Sequence, residues 1–114
     1  MSDCIGHKIE LLPSAARTAT ATGLGVALPP DAKDIGILMI TTAFTSGTFT
    51  AKLQTSWDGS TWTDLTTATT AAIGATGQAW ALSTLSTGPL VRAVNTGATT
   101  PVATNQVFVI FNRK

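Results

Sequence analysis

Residues 49–65, FTAKLQTSWDGSTWTDL, decide the fold that this sequence predicts. Along the first part of the stretch, mostly apolar residues alternate with polar ones, which is typical of a strand with one buried and one solvated face. Asp58-Gly59 then supplies turn chemistry, because Asp hydrogen-bonds to nearby backbone and Gly adopts a positive φ without strain. The pattern therefore predicts a β-hairpin closed by a three-residue loop.

The loop length sets which side chains share a face. With three residues, the odd-numbered positions lie on the buried face, so Trp57 is expected inside the domain and Trp62 is expected to face outward. Asp64 is then expected on the outer face, near Lys52 or Gln54. A loop of two or four residues would instead carry Asp64 inward together with both tryptophans. Because burying an unpaired carboxylate is costly, the three-residue loop is favoured.

Short strand patterns separated by turn signals continue through most of the chain. Residues 35–44 are almost entirely apolar and rich in β-branched side chains, which predicts a central strand buried on both faces. Further strands are expected at 23–29, 78–83, 90–95 and 107–111. With no amphipathic helical pattern, the chain is predicted to be all-β. We expect an antiparallel β-sandwich of jelly-roll or immunoglobulin-like topology, with a small barrel as the alternative.

Residues 1–22 differ from the rest in composition. The run SAARTATATG is of low complexity and cannot bury enough apolar surface to order itself alone. The sequence thus predicts an extended N-terminal arm, residues 1–22, and a β-sandwich domain, residues 23–114. The arm must be held either by the surface of its own domain or by a neighbouring chain. Its apolar side chains are candidate anchors on a neighbouring subunit: Ile5, Ile9, Leu11 and Leu12.

The low charge content limits the kinds of partner that this chain is expected to bind. Only 11% of the residues are charged, about half the usual share. Either partners cover much of the surface, or a threonine-rich surface is solvated through its hydroxyls. The net charge of +1 and the scattered basic residues argue against nucleic acid. No apolar run is long enough for a membrane span, and the start of the chain lacks the apolar region of a signal peptide.

Enzyme chemistry finds little support in the sequence. Cys4 and His7 have the spacing of half a metal site, but no second pair completes it. The same two residues would lack a rigid platform as a nucleophile and its base. Asp58 and Asp64 are separated by their opposite roles in the hairpin, which argues against a pair of catalytic carboxylates. We therefore expect no catalytic residue, no metal and no cofactor.

Two further residues are candidates for a protein interface. Arg92 lies in a predicted strand between apolar neighbours, so it either faces solvent or finds a partner, at an interface or in a buried pair. Trp62 is expected to project from the sheet, where aromatic side chains often anchor interfaces. The alternative for Trp62 is packing beneath the arm or a loop.

Three segments together resemble a known family. They are LLPSAARTATATGLGVALP (11–29), KLQTSWDGSTWTDL (52–65) and PLVRAVNTGATTPVATNQVFVIF (89–111). In this order and spacing they are similar to a family of small virion proteins of tailed bacteriophages. Relatives of that family resemble capsid decoration, or cement, proteins with β-sandwich folds. The resemblance spans residues 11–111 and supplies no catalytic residues.

The resemblance implies a structural function. It implies a protein made in the host cytoplasm that binds the major capsid protein on the capsid exterior of the virion, as a homotrimer. A tail or neck component is a variant of this interpretation. The alternative class is a carbohydrate-binding or adhesive module, in which Trp57, Trp62 or Trp80 stacks on sugar rings. An exposed aromatic side chain beside several polar groups would favour that class, although the sequence shows few polar residues suited to the purpose near its tryptophans.

Overall fold

The computed structural model describes residues 5–114, and this part of the chain consists of strands and connecting loops. The strands are β1 (His7–Arg17), β2 (Ala21–Thr22), β3 (Val26–Ala27), β4 (Ala32–Ser56), β5 (Thr63–Thr69), β6 (Gly77–Leu82) and β7 (Leu90–Arg113). They form a single antiparallel sheet with β7 and β4 at its centre. The predicted all-β class is confirmed. Residues 5–114 contain no helix long and apolar enough to cross a membrane.

The two central strands bend sharply near their midpoints. Their pairing is interrupted by register shifts on both sides of Ser46. Gly47 has a φ of 74°, and Thr99 and Thr100 on β7 also have positive φ values. A Cβ atom on Gly47 would lie 2.6 Å from the carbonyl oxygen of Ala98, so a glycine is required where the two backbones approach. The sheet folds over on itself at this point.

The fold gives two layers that share one core. The first layer consists of β1, residues 102–113 of β7, residues 32–46 of β4, and β6. The second consists of β2 and β3, residues 90–98 of β7, residues 48–56 of β4, and β5. Both layers contribute to one hydrophobic cluster, which includes Ile37, Met39, Val107 and Val109 from the first layer and Phe49, Leu53, Val91 and Ala93 from the second. The architecture is therefore sandwich-like.

The β4–β5 hairpin confirms part of the predicted alternation. Leu53 pairs with Leu65, and both side chains are buried. On the outer face, the carboxylate of Asp64 accepts hydrogen bonds from Lys52 at 3.1 Å and from Gln54 at 2.7 Å. Leu53 on β4 and Leu65 on β5 thus face the core, and Asp64 has the neighbours that the sequence predicts. Elsewhere on β5 the alternation does not hold, because Thr63 is exposed and the even-numbered Ala68 is buried beyond a register shift.

The predicted three-residue loop is wrong. Strand β4 ends at Ser56, and residues 57–62 form a longer connection before β5 begins. Trp57 lies in this loop and is 80% exposed, so its predicted place in the core is also wrong. The physical reason is local: the side chains of Ser56 and Asp58 hydrogen-bond to the loop backbone and stabilise a compact loop in place of a continued ladder.

The N-terminal segment belongs to the sheet of its own domain. Strand β1 pairs with β7 in antiparallel register, and Leu11 and Leu12 are 5% and 6% exposed within the common core. Strand β2 continues the pairing along the same edge of β7 in the second layer. Of the two supports considered for residues 1–22, the domain's own surface is the one that residues 7–22 use. A free edge of β7 would otherwise present unpaired backbone groups to solvent.

The apolar run at 35–44 is the central part of β4, with β7 on one side and β6 on the other. Its core face is buried, with Ile37 and Met39 at most 1% exposed. Leu38 and Ile40 on the opposite face are half-buried. The prediction that both faces are buried is therefore wrong, since the described residues form only two layers and this face is turned away from the core.

Candidate functional site

The outer face of the first layer carries an apolar patch. Phe108, Leu38 and Trp80 are direct neighbours across β7, β4 and β6, and paired residues in a sheet project on the same side. Ile110 and Leu82 occupy the next row of the same face. We call these five residues the outer patch. Trp80 is 63% exposed and Leu82 is 44% exposed, which makes them the accessible part of it.

Strand β1 supplies one rim of the outer patch. The ammonium group of Lys8 lies 4.6 Å from the centre of the Phe108 ring, a cation–π contact that shields this ring from solvent. Beside it, Glu10 accepts a hydrogen bond from the side-chain amide of Gln106. The patch therefore has an uncharged centre and one positive and one negative group at the β1 rim.

The two outward-facing candidates, Trp62 and Arg92, lie together on the other layer. The guanidinium carbon of Arg92 lies 4.5 Å from the centre of the Trp62 ring, and its Nε donates a 2.7 Å hydrogen bond to the side chain of Gln54. Trp62 is half-buried because the chain at Gly25 passes over it: a Cβ atom there would lie 2.9 Å from the ring. Trp62 therefore packs against a loop of its own domain, as the alternative for this residue predicts. Its role in an interface stays a prediction.

The predicted interface residues do not form one surface. Leu11 and Leu12 point into the core, whereas Trp62 and Arg92 lie on the outer face of the second layer. Ile9 packs against the same core from a half-buried position. Ile5 is half-buried near the start of the described chain. Partner binding through Leu11 or Leu12 would require β1 to leave its own sheet.

The loop after β4 presents a tryptophan on a rigid support. Oδ1 of Asp58 accepts hydrogen bonds from the backbone N–H groups of Ser60 and Thr61 at 2.9 and 2.8 Å. The hydroxyl oxygen of Ser56 accepts one from the N–H of Asp58 at 3.2 Å. The hydrogen bonds from Thr61, Ser60 and Ser56 favour the ionised carboxylate and lower the pKa of Asp58 to about 2. This network holds the backbone that follows Trp57, while the Trp57 side chain remains in solvent.

Two clefts meet at Trp57. The larger has a volume of about 610 Å³ and the smaller of about 330 Å³. Besides Trp57, the larger is lined by Thr55, Ser56, Asp58, Thr61, Thr63, Asp64, Leu65, Leu85 and Ser86. The sequence pattern predicts a core position for Trp57, which is wrong, and the cleft itself is not predicted, although Trp57 is one of the three tryptophans named for stacking on sugar rings. The available signal was Ser56 before it and Asp58 after it, since both residue types often bond to the backbone of their own loop.

The carboxylates at the larger cleft are engaged separately. Asp58 binds the backbone of its own loop, whereas Asp64 binds Gln54 and Lys52, which together lower the pKa of Asp64. His7 stacks on Phe111 with ring centres 5.4 Å apart. Between residues 5 and 114 there is no group of three His, Cys, Asp or Glu side chains suited to a metal ion. Cys4 of the predicted half-site lies outside the described residues.

Comparisons with known proteins add no family assignment. No protein-family model matches the sequence, and no curated protein matches it significantly.

Proposed function

We propose that this chain is a structural virion protein of a tailed bacteriophage, a decoration or cement protein that binds the major capsid protein and stabilises the head. The observation that carries the proposal is the outer patch, an apolar surface on the outside of a sheet with an exposed tryptophan. Trp80 and Leu82 are exposed and lie in adjacent rows of one continuous apolar face, and contiguous apolar surface rimmed by polar residues is typical of protein interaction sites. The low charge of 11% and the resemblance of residues 11–111 to phage virion proteins support the same function.

The outer patch suits a weak contact repeated many times. Fully burying a large apolar side chain contributes roughly 1.5–3 kcal/mol, so Trp80 and Leu82 alone would support only modest affinity for one copy. Several linked copies strengthen attachment by raising the effective concentration of each patch at the shell. A homotrimer, which we propose as the bound form, would present three outer patches to neighbouring capsid subunits.

Binding to empty shells tests the docking surface. The protein is mixed with capsids assembled without it, and the bound fraction is measured by sedimentation. Trp80→Glu places a charge in the outer patch, and we expect at least a tenfold loss of binding from burying it unpaired. Leu24→Glu is the matched control, because Leu24 is 84% exposed and lies beside Leu11 and Leu12 at the β1 edge of the sheet, whereas Trp80 is on β6 at the opposite edge. Equal binding by Trp80→Glu and the native protein would rule out the outer patch as the docking surface.

Purified particles test the function itself. Quantitative mass spectrometry of virions is expected to find the chain in many copies per particle, and cryo-electron microscopy is expected to place it on the head in groups of three. Sedimentation equilibrium of the free protein at micromolar concentration tests the trimer separately. Absence from virions would refute the proposal, and a location on the tail or neck would replace it with the variant assignment.

A further inference from the structure

We propose that the larger cleft beside Trp57 is a binding site for a neutral sugar ring, separate from the outer patch. An 80%-exposed indole is unusual for a side chain with so much apolar surface, and here it is set on a loop that its own hydrogen bonds hold in one conformation. An exposed aromatic face carried on such a loop is available to stack on the C–H face of a pyranose ring. Little ordering is needed when the ligand arrives.

The backbone supports the indole from one side. A Cβ atom on Gly88 would lie 2.6 Å from the carbonyl oxygen of Ser56 and 3.2 Å from Cδ1 of Trp57, so the chain at Gly88 runs directly against this residue. The N–H of Gly88 also donates a 2.7 Å hydrogen bond to the hydroxyl of Thr55. These contacts hold the loop at the end of the sandwich opposite the bend at Gly47.

The lining of the cleft matches a sugar in size and chemistry. A volume of about 610 Å³ lies within the range of small-molecule sites, roughly 300–1,000 Å³. The residues Thr61, Thr63 and Ser86, which carry hydroxyl groups, line it together with Asp58 and Asp64. Hydroxyls donate and accept, and carboxylates accept, which are the functions needed to bind the hydroxyl groups around a pyranose ring.

The charges and apolar groups decide the class of ligand. The ionisable residues that line the cleft are Asp58 and Asp64. Lys52 pairs with Asp64, so the negative charge beside Trp57 is that of Asp58. This charge repels a sialylated or uronic-acid sugar and favours a neutral one.

A protein partner usually buries about 800 Å² around a central apolar cluster. On the side of the larger cleft, Trp57 is set among polar side chains, with Leu85 as an exposed apolar neighbour. The smaller cleft on its other side is lined mainly by apolar residues, including Leu28, Ile35 and three prolines, so the composition of the larger cleft alone bears on the ligand. This composition favours a sugar over a protein.

The indole N–H signals in two-dimensional NMR provide a direct test on the free protein. The chain has three tryptophans, so the Trp57 signal is assigned by its loss in Trp57→Ala. The probes are lactose, cellotriose and N,N′,N″-triacetylchitotriose, with 3′-sialyllactose as the charged comparison. We expect at least one neutral probe to shift the Trp57 signal saturably, with a dissociation constant of about 1–10 mM, and sialyllactose to bind several-fold more weakly than lactose.

Two variants make the result specific. Binding by the two variants, which lack the Trp57 indole signal, is followed by the backbone amide signals of Ser60 and Thr61. Trp57→Phe keeps an aromatic face and is expected to bind about three- to tenfold more weakly, whereas Trp57→Ala is expected to lose binding. Trp80→Ala is the matched control, because it removes another exposed tryptophan on a different surface and is expected to bind like the native protein. No saturable shift with any neutral probe, or undiminished binding by Trp57→Ala, would overturn the proposal. Because capsids are absent from the experiment, its failure would leave the docking function untouched.

Discussion

Asn95 and Asn105 lie on the same strand, yet their side chains meet in the core. Nδ2 of Asn95 donates a 2.9 Å hydrogen bond to Oδ1 of Asn105, and both residues are fully buried. The bend in β7 makes this possible, because it places Asn95 in the second layer and Asn105 in the first. Arg17 of β1 donates from Nε to the same oxygen at 2.8 Å. Oδ1 of Asn105, in the first layer, thus accepts hydrogen bonds both from the second layer and from the N-terminal strand β1.

The asparagine pair predicts a non-additive pair of substitutions. Asn105→Leu leaves Nδ2 of Asn95 buried without its acceptor, which we expect to destabilise the protein by about 1–3 kcal/mol. Asn95→Leu combined with Asn105→Leu removes both buried amides. It also removes Oδ1 of Asn95 and Nδ2 of Asn105, which have no hydrogen-bond partner among the described residues. We expect the double variant to be more stable than Asn105→Leu in urea unfolding. Additive losses would show that the two side chains are not coupled.

Three substitutions test the positions of the tryptophans in the hairpin. Trp57→Ala is expected to change the free energy of unfolding by less than about 0.5 kcal/mol, because the side chain is exposed. Trp62→Ala is expected to cost about 1–2 kcal/mol through lost packing and the lost contact with Arg92. Leu53→Ala, a core control, is expected to cost about 2–5 kcal/mol. Chemical denaturation would measure all three, and a Trp57 effect as large as that of Leu53 would contradict the exposed loop.

Acid stability should depend on Asp58. Its pKa in the folded protein is about 2, below the usual 3.8, so the folded state binds this proton less readily than the unfolded state. The stabilising contribution is therefore complete above the unfolded pKa and is lost as the pH falls from about 4 through about 2. Asp58→Asn keeps an acceptor oxygen but does not titrate, so its melting temperature should fall less over that range. Parallel pH profiles for the two proteins would contradict the assignment.

The N-terminal strand should be part of the folding unit. Leu12→Ala removes a buried side chain from the common core and is expected to cost about 2–4 kcal/mol. Leu24→Ala, at a position 84% exposed, is the matched control and should have little effect. Thermal unfolding of both variants would measure the difference. A negligible effect of Leu12→Ala would mean that residues 7–17 are not held by the domain in solution, as the sequence-based arm hypothesis allowed.

The exposed tryptophans show where prediction from the sequence stops. Alternation along the hairpin continues through Trp57, but the side chains of Ser56 and Asp58 bind the loop backbone and end the strand first. The cleft could not be predicted, because its lining also includes Leu85 and Ser86, which reach Trp57 only through the fold. The outer patch was missed for a related reason: the apolar run 35–44 gives no sign that one of its faces lacks a covering layer.

The sequence by itself determined the all-β class and the pairing of Leu53 with Leu65 across β4 and β5. It also determined the outer-face position of Asp64 beside Lys52 and Gln54. These features follow from the two-residue period of a strand, which depends only on local backbone geometry. Ser46-Gly47 is also a turn signal in the sequence, but tertiary structure alone decided that β4 and β7 continue through the bend as paired strands and that β1 pairs with β7. These pairings leave the outer patch exposed. Such features depend on contacts between strand edges and side chains that are far apart in the chain. A local pattern of residues does not predict these long-range contacts.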